Sequence, residues 1–233
     1  MVVSRSITKV AIMNSDDLIF SSQLNISIEL PYRVYLPNDY IDNDNSGFPL
    51  LLFLHGAGER GSDLTALAKT GLPKEIEQGK QLPFVTVCPQ CPVKEAWDEH
   101  KLLALLDKII SDYNIDLSRL YVTGLSMGGR GTWQLANLAG HRFAAILPIC
   151  PPFFWVNPDN FKDLPIWCFH GVMDSVVSVT DSVRMVRLLR TAGCQVNFTT
   201  YANADHDSWS ETYTNPAIYE WLLSHQRPQT EQP

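Results

Sequence analysis

Serine, aspartate and histidine together make a hydroxyl nucleophilic: the imidazole takes the proton, and the carboxylate holds the imidazole's tautomer and offsets its charge. The chain offers such a set in Ser126, Asp174 and His206. Ser126 stands in Gly124-Leu-Ser126-Met-Gly128, where small residues on both sides let the backbone turn too tightly for a Cβ and leave the hydroxyl exposed. Asp174 follows an apolar run in His170-Gly-Val-Met-Asp174, and His206 follows the last apolar run in Tyr201-Ala-Asn-Ala-Asp-His206-Asp-Ser-Trp209.

Each of these residues has a bland rival. Ser126 has a rival reading as a mere cap of the helix that follows it. Asp159, Asp163, Asp181 and Asp205 compete as the acid, but Asp181 falls inside a predicted helix and Asp205 adjoins the base. Among the other histidines, His55 and His170 lie in strand-end motifs as scaffold or oxyanion-loop residues, and His100, His141 and His225 sit on helices or helix ends. Cys88-Pro-Gln-Cys91 has the spacing of a zinc knuckle, but no second pair completes four ligands, so neither metal nor other cofactor is expected. Five cysteines scattered largely through apolar runs suit reduced, buried thiols.

The positioning elements follow from periodicity. Ser27–Leu30 and Tyr32–Leu36 alternate as antiparallel strands, and residues 38–47 form a polar loop. Phe48–Leu54 is continuously apolar, as a strand covered on both faces should be, and runs into His55-Gly-Ala-Gly-Glu-Arg-Gly61. A short helix is expected over Lys69–Lys80, a strand over Phe84–Cys88, and an amphipathic crossover helix over Asp98–Asn114. Strands at Arg119–Thr123, Phe143–Ile149, Pro165–His170 and Gln195–Tyr201 then alternate with helices at Ser126–Leu138, Val179–Thr191 and Pro216–His225. The tail from Arg227 is expected to fray. This alternation predicts an α/β fold: one domain over residues 1–233, with a mostly parallel sheet and helices on both faces. The three chemical residues then fall at the carboxyl ends of successive strands.

Length and charge narrow the partners. A chain of 233 residues with 45% hydrophobic and 18% charged residues supports one sizeable core. A net charge of −7, with no basic block, argues against nucleic acid and is easier to reconcile with a small neutral or weakly polar substrate. Met1–Val10 alternates polar and apolar residues without building a leader, and no apolar run is long enough to enter a membrane, so a cytoplasmic protein is expected. Monomer and homodimer stay equally open.

With these motifs quoted, the sequence resembles an α/β hydrolase of the small carboxylesterase type, near the dienelactone-hydrolase-like, phospholipase/carboxylesterase and feruloyl-esterase-like groups. The resemblance covers about residues 30–225 and is carried by Leu54-His-Gly-Ala-Gly58, Gly124-Leu-Ser-Met-Gly-Gly129, His170-Gly-Val-Met-Asp174 and His206-Asp-Ser-Trp209. It implies a serine carboxylic-ester hydrolase with Ser126 as nucleophile, Asp174 as acid and His206 as base. It also implies oxyanion donors at the backbone amides of Ala57 and Met127, with Gly58 a neighbouring candidate. At the elbow the chain departs from dienelactone hydrolases themselves, which carry cysteine there. A peptidase using the same groups is the enzymatic alternative, and a catalytically silent binding protein the non-enzymatic one.

Only about fifteen residues separate Ile149 from the next strand, where larger lipases insert a helical cap. An open pocket is therefore expected, without a large cap domain, favouring short-acyl or aryl esters. Trp97, Phe153, Phe154, Trp155 and Trp209 are the candidate substrate-binding aromatics.

Overall fold

The seven strands of the computed structural model, which describes residues 27–42 and 47–228, form one sheet in the order β1-β3-β2-β4-β5-β6-β7. They are β1 (Tyr32–Tyr35), β2 (Phe48–Leu54), β3 (Val85–Pro89), β4 (Ile115–Leu125), β5 (Ala145–Ile149), β6 (Ile166–Gly171) and β7 (Val196–Tyr201). Only β1 runs antiparallel, against β3; every other pairing is parallel. The helices are α1 (Gly71–Glu77), α2 (Glu99–Asp112), α3 (Met127–Ala139), α4 (Val179–Thr191), α5 (Trp209–Thr214) and α6 (Ala217–Leu223).

The apolar run of β2 is buried at every position because helices cover both of its faces. Leu50, Leu52 and Leu54 share a core cluster with Leu106 and Ile109 of α2, Trp133 of α3 and Leu189 of α4. Leu51 and Phe53 belong to the other cluster, with Leu72 of α1, Tyr213 of α5 and Ile218 and Leu222 of α6. Helix starts match the side chains available: Asp98 accepts from the amides of His100 and Lys101, and Ser178 from that of Thr180.

Several expected boundaries move. Residues 27–30 form no strand; their link to the sheet comes at Pro31, whose carbonyl accepts from Gln90 N–H. The helix expected over Lys69–Lys80 is divided, because Gly71 has φ +63 and separates a 3-10 stretch at Leu64–Lys69 from the body of α1. The strand expected at Arg119–Thr123 extends at both ends, and α5 lies in what reads as loop. Arg227 N–H donates to the Ser118 carbonyl at 2.9 Å, so the chain is still tied down where fraying was expected to begin. The reading of Met1–Val10 lies outside the described residues.

Among the described residues no large cap covers the sheet. Residues 150–165 join β5 to β6 with a single 3-10 turn at Pro158–Phe161, whose Phe161 is fully buried in the main core. Cys88 and Cys91 pack into different clusters, and all five thiols are free and buried.

Candidate active site

Because β2, β4, β5, β6 and β7 are parallel, their carboxyl ends share one edge of the sheet, and the candidate residues lie just beyond it. Ser126 joins β4 to α3 with φ 53, a left-handed conformation that a residue with a Cβ adopts only when its surroundings impose it. Two contacts impose it here. Ser126 N–H donates to the Ile149 carbonyl at 2.9 Å, and α3 starts so close to β2 that a Cβ on Gly128 would enter the carbonyls of Leu54 and His55. The turn exposes the hydroxyl above the sheet.

His206 reaches it from the loop after β7. Its Nε2 lies 3.0 Å from Ser126 Oγ, and its Nδ1 lies 2.8 Å from Asp174 Oδ2. A carboxylate can only accept, so Nδ1 carries the proton and Nε2 presents its lone pair to the serine O–H. Asp174 Oδ1 accepts from the amides of Val176 and Val177 at 2.9 and 2.8 Å, which fixes the carboxylate's orientation.

The loops carrying Asp174 and His206 are tied to each other. Met173 N–H donates to the Ala204 carbonyl, and Asp205 Oδ1 accepts from Ser175 N–H, Ser175 Oγ–H and His206 N–H at 2.8 to 2.9 Å. Hydrogen bonds from Ser175 hold the Asp205 carboxyl below its usual range. The rival acids therefore have other tasks: Asp205 joins the loops, Asp181 accepts from Phe153 N–H, and Asp159 pairs with Lys162.

Ala57 opens a 3-10 turn and Met127 opens α3, so their amides have no partner within their own helices, and no other acceptor takes them among the described residues. Their parent strands are neighbours, Leu54 pairing with Gly124. Beside them His55 is fully buried, donating from Nδ1 to the Gly56 carbonyl and accepting Cys91 N–H at Nε2; burial pushes this imidazole down to about 4.

The aromatic residues divide. Trp97 does not face the site: it is 4% exposed, its Nε1–H bonds the His55 carbonyl at 3.1 Å, and its ring packs edge-on against His55 and under Gly131 of α3. Trp209 meets the His206 ring edge-on, at 5.2 Å between centroids, and so bears on the base itself. Phe153 and Phe154 are half-buried beneath Arg184 and Arg130, whereas Trp155 is 72% exposed.

Three features escaped the sequence reading. Arg60 donates to Met127 Sδ at 2.8 Å, on the residue after the candidate nucleophile, and its neighbour Glu59 has a buried, unpaired carboxylate oxygen and a carboxyl raised by burial. Cys150, at φ 38, brings its thiol within 4.8 Å of Asp174 and His206. Thiol, carboxylate and imidazole could in principle ligate a metal, but here the carboxylate and imidazole are bonded to each other. His170, read as scaffold, brings its Nε2 to 3.2 Å from Asp174 Oδ2.

A doubly covered, mostly parallel sheet with a serine on a strained strand-to-helix turn defines an α/β hydrolase. The family model of the dienelactone hydrolase family matches residues 91–216, more than half of the chain, and the protein belongs to that family.

A crystal structure of a thermostable esterase superposes with a TM-score of 0.72 at 34% identity, over 86% of this chain and 60% of that one. A CE1 ferulic acid esterase from Anaeromyces mucronatus superposes with a TM-score of 0.62 at 16% identity, over 83% and 84% of the two chains, a likeness of fold alone. The bifunctional acetylxylan esterase/xylanase XynS20E of Neocallimastix patriciarum is 26% identical over 153 residues, 63% of this chain and 22% of that protein. The chain thus spans about a fifth of this curated relative. Among the described residues no helix is long and apolar enough to cross a membrane.

Proposed function

We propose that the protein hydrolyses carboxylic esters through an acyl-enzyme on Ser126. Its Oγ attacks the ester carbonyl carbon while His206 Nε2 takes the hydroxyl proton. The oxyanion is held by the Ala57 and Met127 amides, and the same Nε2–H then protonates the departing alcohol. Water repeats the sequence to release the acid, and Asp174 stays ionised throughout. No cofactor takes part.

The observation that carries this reading is the unbroken relay from Ser126 Oγ through both nitrogens of His206 to Asp174, at 3.0 and 2.8 Å. Short-acyl and small aryl esters fit the uncapped edge, with Phe153, Phe154, Trp155 and Trp209 supplying the wall. The relative named as an acetylxylan esterase makes an acetylated carbohydrate the first ester to try.

Replacing Ser126 with Ala tests the mechanism. Turnover of acetyl esters should drop by about 10³-fold or more with melting behaviour unchanged, since the half-buried hydroxyl belongs to neither core cluster. A fluorophosphonate should label Ser126 alone. An alanine variant with full activity, or a wild type that cleaves peptide amides and not esters, would overturn the reading.

A further inference from the structure

Asp174 has a second imidazole. His170, at the end of β6, is fully buried, and its Nε2 lies 3.2 Å from Asp174 Oδ2, the same oxygen that receives His206 Nδ1–H. The same Nε2 lies 2.9 Å from the Val177 carbonyl, and Nδ1 lies 2.7 Å from Ser182 Oγ on α4. A nitrogen placed between a carboxylate and a carbonyl, neither of which can donate, must carry the hydrogen. Nδ1 then accepts from the Ser182 hydroxyl, which in turn accepts from the Cys168 thiol at 3.5 Å.

Resting on the Ser126–His206–Asp174 reading of the centre, we propose that His170 is a positioning residue that tunes the base through the acid: its neutral Nε2–H, donated to the Val177 carbonyl, sets the positive end of its N–H dipole 3.2 Å from Asp174 Oδ2. The carboxylate then has two amide donors on Oδ1, the His206 donor on Oδ2, and the His170 N–H dipole 3.2 Å from that same oxygen. It is held in one rotamer. Its charge is also partly offset by the His170 N–H dipole, so it stabilises the His206 imidazolium less than a carboxylate facing His206 alone would.

Burial pushes His170 down from its ordinary value, which keeps it neutral at pH 7 despite the adjacent carboxylate. The other titratable groups around the pair are Cys150, Cys168 and Asp205. Burial raises both thiols to about 12, and the exposed Asp205 is lowered by its Ser175 bonds, so none changes charge between about pH 5 and 8.

The test compares His170→Phe with His170→Gln on short-acyl esters. The phenyl ring fills the space without a donor, whereas a Gln amide restores one near the position of Nε2. In the Phe variant kcat should fall about tenfold with KM little changed, and the acidic limb of kcat/KM should move to higher pH by about half a unit. The Gln variant should return the limb toward the wild-type position. A merely structural His170 would lower the folded fraction and depress kcat alike at every pH, so a Phe limb superimposed on the wild type overturns the proposal.

If the Phe variant does not fold, imidazole 15N spectra of the wild type at pH 7 decide. They should show His170 as the neutral Nε2–H tautomer, and an Nδ1–H tautomer or an imidazolium overturns the proposal. This tautomer does not depend on which serine is acylated. Failure of the nucleophile assignment would instead appear as surviving turnover in Ser126→Ala.

Discussion

At the residue scale, the chemistry depends on polar side chains that packing holds in one protonation state. His55 is one, an imidazole enclosed at the carboxyl end of β2 with both nitrogens engaged and its pKa pushed down to about 4 by burial. Its folded state holds fewer protons than the unfolded chain between about 4 and 6.5, so stability rises with pH across that window and is lost as pH falls through it. By pH 4 the loss reaches on the order of 3 kcal/mol from this residue alone, and His170, also lowered, adds to it in the same direction. Denaturant unfolding between pH 7 and 4.5 should show this slope, and His55→Asn, with no imidazole to charge, should flatten it. Parallel profiles for wild type and variant would refute the assignment.

At the element scale, the joint between β5 and β6 decides what fits above Ser126. It spans residues 150–165, has one 3-10 turn, and uses Phe161 in the core, leaving only Phe153, Phe154 and Trp155 near the substrate edge. An acyl chain gains about 0.8 kcal/mol per buried methylene only while a wall is there to bury it. We expect kcat/KM to peak between acetyl and butyryl or at small aryl esters and to fall at least about tenfold by twelve carbons. Trp155→Ala should alter that preference more than it alters Tm, since the indole is 72% exposed. A steady rise out to palmitoyl esters would show the joint closing over the chain as a lipid-binding cap.

The same scale shows what was legible beforehand. The glycines around Ser126 and the order of Ser126, Asp174 and His206 were readable because a tight turn and a strand-end loop leave local marks. Trp97 misled because an aromatic residue in a loop does not declare which way it faces; here it turns inward to His55. The helix α5 was hidden by its polar run Trp-Ser-Glu-Thr-Tyr-Thr, in which only Thr212 and Tyr213 are buried. Cys150 carries no turn signature, so its positive φ is visible only once β5 and β6 are paired. His170 stood in the quoted motif, but its approach to Asp174 needed the fold of the Val172–Val177 loop.

At the scale of the whole molecule, the proposed nucleophile and the proposed base belong to parts of the sheet held very differently. Ser126 extends β4, which lies between β2 and β5, whereas His206 hangs from β7, the last strand in the order, much of whose surface is not buried. An edge strand is bonded on one side only, so it can detach at a smaller free-energy cost than the centre of the sheet. Each such detachment draws the imidazole away from the hydroxyl while leaving the rest of the domain intact. On warming, catalytic output should therefore fade several degrees below the cooperative melt, and amides of Val196–Tyr201 should exchange with deuterium well before those of β2 and β4. Fading and melting at one temperature, with uniform exchange across the sheet, would mean that Asp205 and its neighbours bind this edge as firmly as the core. If the edge does loosen first, the enzyme's working ceiling is set by its outermost strand, and tightening that strand raises the ceiling without altering any residue that touches the ester.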